Sequence, residues 1–177
     1  MALGIEAGIL IGVALSIGML IYSVSYPHIA ILGRVPGTNE FRNIERFDNL
    51  IVDSTILIFR FDAQLYFANT SAFQNFVLGQ IKQNPMIKNI VVDMSSINNL
   101  DSSAFTMAKA LIEELIQRKI GIYFSNVRGP IRDKLVKNSM LSDENVDHFF
   151  LATLDAVEYI QSNKKPDVEP YLIQSFD

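Results

Sequence analysis

The stretch Ser95-Ser96-Ile97-Asn98-Asn99-Leu100-Asp101-Ser102-Ser103 gathers hydroxyls, amides and one carboxylate between an apolar run and a helical pattern. An Asp at such a junction accepts a hydrogen bond from a backbone N–H of the first helical turn. Ser102 and Ser103 then stand near the positive end of the helix dipole. Free N–H groups there can meet a phosphate or another anion. The C-terminal edge of a strand is also where open α/β sheets place their ligands. The same three residues suit a plainer role, because Ser and Asp are preferred helix starters; both readings fit. Arg128, in Asn126-Val127-Arg128-Gly129-Pro130, follows the next strand pattern at a loop edge. Beside the 101–103 loop it could hold an anion or nucleotide through two N–H groups, or it is a solvated surface Arg.

Asp62 and Asp93 sit at strand ends, and a carboxylate pair is common hydrolase equipment. No nucleophile, base and oxyanion set accompanies them, so each reads as a turn cap. Phosphate-loop, dinucleotide, zinc-protease and nucleophile-elbow patterns do not occur in the sequence. The chain has no Cys and only His28 and His148, which removes disulfides, thiolate chemistry and a His-rich metal centre. An enzyme is not expected, and neither is a cofactor or a metal. A net charge of −4 argues against nucleic acid as a partner.

Of the 177 residues, 49% are hydrophobic and only 19% charged, an oily balance for a soluble domain. The excess lies at one end. Leu3 to Tyr22 carries Glu6 as its only charge, and a helix of about 20 such residues spans a bilayer core. The nearest cationic residues, Arg34, Arg42 and Arg46, all follow it, which places the C-terminal side in the cytoplasm. A signal peptide is the competing reading, with Ser23-Val24-Ser25 as a cleavage site. It lacks the cationic leading segment, and Glu6 stands in its place. A very hydrophobic core helix is the third. Gly4, Gly8, Gly12 and Ser16 recur at every fourth position, a small-residue ridge that lets another membrane helix approach closely. One helix cannot supply that partner. The sequence thus reads as the end of a larger membrane protein, or as a subunit that must associate.

Strand and helix patterns alternate after Ser25, predicting an α/β sheet with helices packed against it. His28 to Leu32 is a short strand candidate. Residues 39–54 are polar, with Phe41, Ile44 and Phe47 at helix-like spacing. Thr55 to Phe61 is almost continuously apolar and so reads as a central strand. Leu65 to Ala68 reads as a further short strand, Thr70 to Gln83 as a helix stopped by Asn84-Pro85, and Asn89 to Met94 as a buried strand. A helix over Ser102 to Lys119 carries Phe105, Ala108, Leu111, Ile112, Leu115 and Ile116 as its stripe. Gly121 to Phe124 is a strand, Pro130 to Asn138 a helix with Ile131, Leu135 and Val136 inward, and Phe149 to Ala152 a last strand. Thr153 to Gln161 closes the pattern with Thr153 as N-cap, and residues 163–177 read as a tail. Phe59, Phe61, Tyr66, Phe67, Phe73 and Phe76 are expected in the core. The resulting division is a membrane helix over 1–25, a connector with an edge strand over 26–54, a globular domain over 55–162 and a flexible tail over 163–177.

The helix GIEAGILIGVALSIGMLI, the connector YPHIAILGRVPGTNEFRNI and the segment ILIFRFDAQLYFANTSAF resemble the C-terminal end of SulP-type (sulfate permease family) anion transporters. VVDMSSINNLDSSA resembles the signature loop of the STAS domain, shared with anti-sigma-factor antagonists. The resemblance covers about residues 3 to 161. It implies a STAS-type β-sheet with helices packed on one side, preceded by one transmembrane helix. It also implies a cytoplasmic regulatory and interaction module, in the inner or plasma membrane, of a transporter that is typically a homodimer. Its partners would be the membrane, the remaining transporter helices, and a regulatory protein or nucleotide at the 101–103 loop. In the antagonists the Ser after the loop Asp is phosphorylated, a position that matches Ser102 with Ser103 beside it. A partner-switching antagonist is the alternative role, and the membrane helix and connector favour the transporter branch. The anion path of such transporters lies among earlier helices, so this chain cannot form it alone. The chain is expected to stay with membranes through carbonate extraction. Release of the intact chain into the soluble fraction overturns the membrane-span reading.

Overall fold

The β-branched and aromatic run Ile56–Phe61 forms a strand that is buried on both of its faces. In the computed structural model, which describes residues 4–137 and 148–162, this strand is β3. It follows α1 (Ile5–Ser25), β1 (Ile29–Arg34) and β2 (Phe41–Asn43). After it come α2 (Thr70–Gln83), β4 (Asn89–Asp93), α3 (Ser102–Gln117), β5 (Gly121–Ser125), α4 (Gly129–Lys137), β6 (Phe149–Phe150) and α5 (Thr153–Ser162). The six strands form one sheet in the order β2-β1-β3-β4-β5-β6. β1 runs antiparallel to β2 and β3, and β3 to β6 run parallel. The fold is mixed α/β, as the alternation predicted.

Alternation along β3 and β4 sorts their side chains between two cores. Leu57, Phe59, Phe61, Ile90 and Val92 face one side, against Phe73, Val77 and Ile81 of α2, Leu111 and Leu115 of α3, and Ile131 and Leu135 of α4. Ile56, Ile58 and Val91 face the other, against Ala30 and Leu32 of β1 and Ala156 and Val157 of α5. Three helices thus share one face, and α5 covers part of the second. Phe59 is fully buried, its ring centroid 5.5 Å from Phe73 and 5.1 Å from Phe76.

Several local expectations are corrected. The helix-like spacing of Phe41, Ile44 and Phe47, a weak signal that predicts no helix, corresponds to none: Phe41–Asn43 pairs with β1, and residues 44–52 fold back over Gly33. A Cβ on Gly33 would lie 2.8 Å from Leu50 Cβ, so only glycine permits that approach. Leu65 to Ala68 is no strand; only Leu65 bridges, in parallel to Leu100. The next two amides are taken by side chains instead, Tyr66 N–H by Asn69 Oδ1 and Phe67 N–H by Asp101 Oδ2. Phe67 is 72% exposed and Ile116 66% exposed, so neither belongs to the core. Ala104, in the first turn of the same helix, is buried on the inner face of α3. Thr153 does not cap α5 from outside. It is the first helical residue, and its hydroxyl is buried against Ser125 Oγ at 3.0 Å and Asn126 Nδ2 at 3.2 Å. Asp155 reaches back to the Ala152 N–H at 3.2 Å, one half of a capping box. The helix end expected at Asn138, the Val136 side chain and the tail over 163–177 lie outside the described residues.

β1 extends the sheet into the segment read as a connector, pairing with β3 from Ile29 to Ile31. α1 stands outside both cores, with no buried residue along its length. It is one helix long and apolar enough, by length and composition, to cross a membrane. A fragment beginning at His28 is expected to melt cooperatively in circular dichroism. Within it, Phe59→Ala should lower stability in urea by about 3–5 kcal/mol. A gradual melt, or a loss well below that range, counts against the two-sided core.

Candidate functional site

The 95–103 loop leaves the C-terminal end of β4 and enters α3. Asp101 is extended, as an N-cap must be, and its Oδ1 accepts from Ala104 N–H at 2.8 Å. Its second oxygen is also engaged, because Oδ2 accepts from Phe67 N–H at 2.9 Å. One carboxylate thus satisfies an orphan donor of α3 and ties the 62–69 loop to the helix start. Leu65 N–H donates to Asn99 C=O at 3.2 Å, and Asp101 N–H to Leu65 C=O at 3.4 Å, closing the same contact. Ser102 and Ser103 occupy the first turn and are exposed. The Ser102 carbonyl accepts from Thr106 Oγ1 at 3.1 Å.

Arg128 stands at the neighbouring strand's end, on the same edge of the sheet. It is exposed, and its carbonyl accepts from Ile131 and Arg132 N–H as α4 begins. No contact joins its guanidinium to Asp101, Ser102 or Ser103 among the described residues. The cation that the fold brings to this loop is Lys134, from α4: Nζ donates to Asn99 Oδ1 at 2.6 Å and to the Leu100 carbonyl at 3.3 Å. Its sequence position on α4, 35 residues from Asn99, gives no local signal of this contact.

The two carboxylates at strand ends do different work. Asp93 is buried and caps its turn, accepting from Ser95 N–H at 2.9 Å and from Asn126 Nδ2 at 3.0 Å. Asp62 is the centre of a charged cluster. His28 Nδ1 lies 2.9 Å from its Oδ2, Arg60 donates to both oxygens, and Ser96 Oγ donates to Oδ1 at 3.3 Å. Partial burial pushes the Asp62 carboxyl up, but the donors Arg60, His28 and Ser96 outweigh it and hold the group below its ordinary value. Asp62 and His28 line an open cleft of about 530 Å³ between the last turn of α1 and the 62–69 loop, with Tyr26, Gln64, Tyr66 and Asn69.

Asn69 was not singled out from the sequence, although it lies in the quoted LYFAN segment. It occupies the N-cap position of α2 but makes no capping bond. Its fully buried amide accepts from Tyr66 N–H at 3.0 Å and donates to Gln64 C=O at 2.9 Å and to Val24 C=O at 3.4 Å. The last of these reaches into α1. On that helix a Cβ added at Gly4, Gly8 or Gly12 would meet nothing within 4 Å, and Ser16 Oγ bonds only back to the Gly12 carbonyl. The small-residue ridge faces open space, and Gly4 precedes the first helical turn.

The family model for the STAS domain matches residues 49–156, from the fold-back over Gly33 to α5. The chain belongs to the STAS domain family. Sulfate transporter 4.1, chloroplastic, of Arabidopsis thaliana is 30% identical over 182 residues, a match that takes in 93% of this chain and 26% of the transporter. The match therefore reaches beyond the STAS domain into α1, and the chain spans about a quarter of the length of that relative. Among solved structures, the murine solute carrier 26 family member A9 anion transporter in its inward-facing state superimposes with a TM-score of 0.76 at 21% identity, over 88% of this chain and 26% of that one. A sulfate transporter family protein from Wolinella succinogenes shares the fold over 68% of this chain and 97% of its own, with a TM-score of 0.58 at 14% identity.

Asp101→Ala removes a helix cap and orphans the Phe67 N–H as well. It should therefore lower the stability of the STAS domain by about 2 kcal/mol, twice the usual loss of a cap. Ser103→Ala should stay within about 0.5 kcal/mol, as an exposed first-turn change. Equal effects of the two substitutions in urea unfolding would contradict the double use of the Asp101 carboxylate.

Proposed function

We propose that this chain is the regulatory C-terminal portion of a SulP-type anion transporter. α1 serves as its last membrane helix, and the STAS domain lies on the cytoplasmic side of an inner or plasma membrane. The observation that supports this reading is the homology with a sulfate transporter over 93% of this chain, more than the STAS domain alone accounts for. A free partner-switching antagonist has no use for such a helix, nor for the Asn69 bond to its last turn. Transport then belongs to the assembly with the remaining helices. The open ridge of Gly8, Gly12 and Ser16 is the surface on which they would pack.

Within this role the Asp101-Ser102-Ser103 turn is the recognition element. Two exposed hydroxyls stand beside a carboxylate that is already committed, next to an exposed aromatic ring, Phe67. Phosphorylation of Ser102, or docking of a regulatory protein or nucleotide there, would add charge where the helix dipole accommodates it. Lys134 at the loop's edge supplies nearby positive potential. Among the described residues, no catalytic constellation competes with this assignment. A homodimer of the parent would present two such turns.

The test is anion uptake by the full-length parent carrying Ser102→Asp or Ser102→Ala, at matched abundance in the membrane. Ser102→Asp is expected to change uptake about twofold or more, with Ser102→Ala close to the wild type. Identical uptake by all three proteins overturns the recognition role and leaves Asp101 as a cap alone.

A further inference from the structure

We infer that Asn69 is a positioning residue that couples the Ser102–Ser103 turn to the C-terminal end of α1. The inference rests on the regulatory reading above and names the route by which that turn reaches the membrane helix. Seven hydrogen bonds make up the route. Asp101 Oδ2 holds the Phe67 N–H, and Leu65 is fixed to Asn99 and Asp101 through its own backbone. Residues 64–69 then behave as one tight turn: Asn69 N–H donates to Tyr66 C=O at 3.0 Å, while the Asn69 side chain takes Tyr66 N–H and Gln64 C=O. The last contact is the Asn69 amide on the Val24 carbonyl. That carbonyl belongs to the final turn of α1, beyond Tyr22, whose carbonyl accepts the last helical bond from Tyr26 N–H at 3.1 Å. A buried amide of 0% exposure makes every one of its bonds count, because water does not replace a lost one.

The input at the other end is electrostatic. A negative charge on Ser102 lies one residue from the Asp101 carboxylate and competes with it for the free N–H groups of the first turn. The two repel, and the contact of Asp101 that lies outside the helix, on Phe67, is the one released. The 64–69 turn then gains freedom, and with it the Asn69 hold on Val24. Nothing else in the 64–69 turn donates a hydrogen bond to α1 among the described residues, so removing the Asn69 amide should cut the route; it also takes from the turn the bonds to Tyr66 and Gln64, while Asp101 Oδ2 keeps its own hold on the Phe67 N–H.

Hydrogen exchange of the full chain in phospholipid nanodiscs tests this directly. Peptides covering Phe67 report the input, and peptides covering Val24 to Tyr26 report the output. Ser102→Asp is expected to speed exchange at both places about fivefold, the loss of one modest hydrogen bond at each. Asp101→Asn keeps a cap but gives up the acceptor for Phe67, and should reproduce both changes. In Asn69→Ala, Ser102→Asp should still speed exchange at Phe67 and no longer alter Val24 to Tyr26. The inference is overturned if the helix end ignores Ser102→Asp and Asp101→Asn while Phe67 responds. It is equally overturned if the helix end responds with Asn69 removed. Should Asn69→Ala fail to fold, Asp101→Asn alone decides, by moving or not moving the helix end. None of these readouts depends on transport. Coupling can therefore be present in a protein whose uptake ignores Ser102, and such a pair of results would refute the regulatory reading alone.

Discussion

Strands β3 and β4 bury both faces, and the remaining architecture answers that demand. A strand such as Ile56–Phe61, apolar at nearly every position, cannot leave a side to water. Parallel neighbours require crossover helices, and α2 and α3 cover the face of Phe59 and Val92. The opposite face is partly covered by α5, with Ala30 and Leu32 of β1 beside Ile56 and Ile58 on the same side of the sheet. This arrangement also sets the site. Both crossovers leave from the same edge of the sheet, so the loops after β3 and β4 are neighbours, and one Asp can serve both.

That neighbourhood explains why a short polar loop is so heavily bonded. The 62–69 segment forgoes a strand ladder and is held instead by side chains, Asn69 from within and Asp101 from across. At its start the segment meets the Arg60–Asp62–His28 cluster, and at its end it meets α1. The join between helix and domain is thus built from two polar contacts, one buried and one half-exposed, with an open cleft between them. Polar joins of this kind fix an orientation through geometry, whereas an apolar join would tolerate sliding.

Much of this was legible in the residues. The boundaries of α2 follow from Thr70 and the Asn84-Pro85 stop, and the central place of β3 follows from its unbroken apolarity. Asp101 as the cap of α3 follows from its position before a helical stripe. What escaped were residues whose roles are set across the fold. The second bond of Asp101, the bond from Asn69 to α1 and the seat of Lys134 each join residues more than 30 positions apart. Local patterns carry no trace of such pairings. Leu65 to Ala68 has good strand chemistry, yet tertiary side-chain acceptors outbid the ladder for its amides. Phe67 looks like core by type and is exposed because its backbone is pinned at the rim. Arg128 drew attention as a loop Arg, while the useful cation lay on the next helix.

The ends of the sheet carry a consequence of their own. β2 is three residues long and β6 only two, and edge strands this short blunt the margins of the six-stranded sheet. Long free margins recruit strands from other molecules. Copies of a domain tethered to one surface meet at a far higher effective concentration than copies dissolved in a cell volume. Truncated margins let such copies crowd side by side without fusing into a shared sheet, so that crowding at a membrane need not become aggregation.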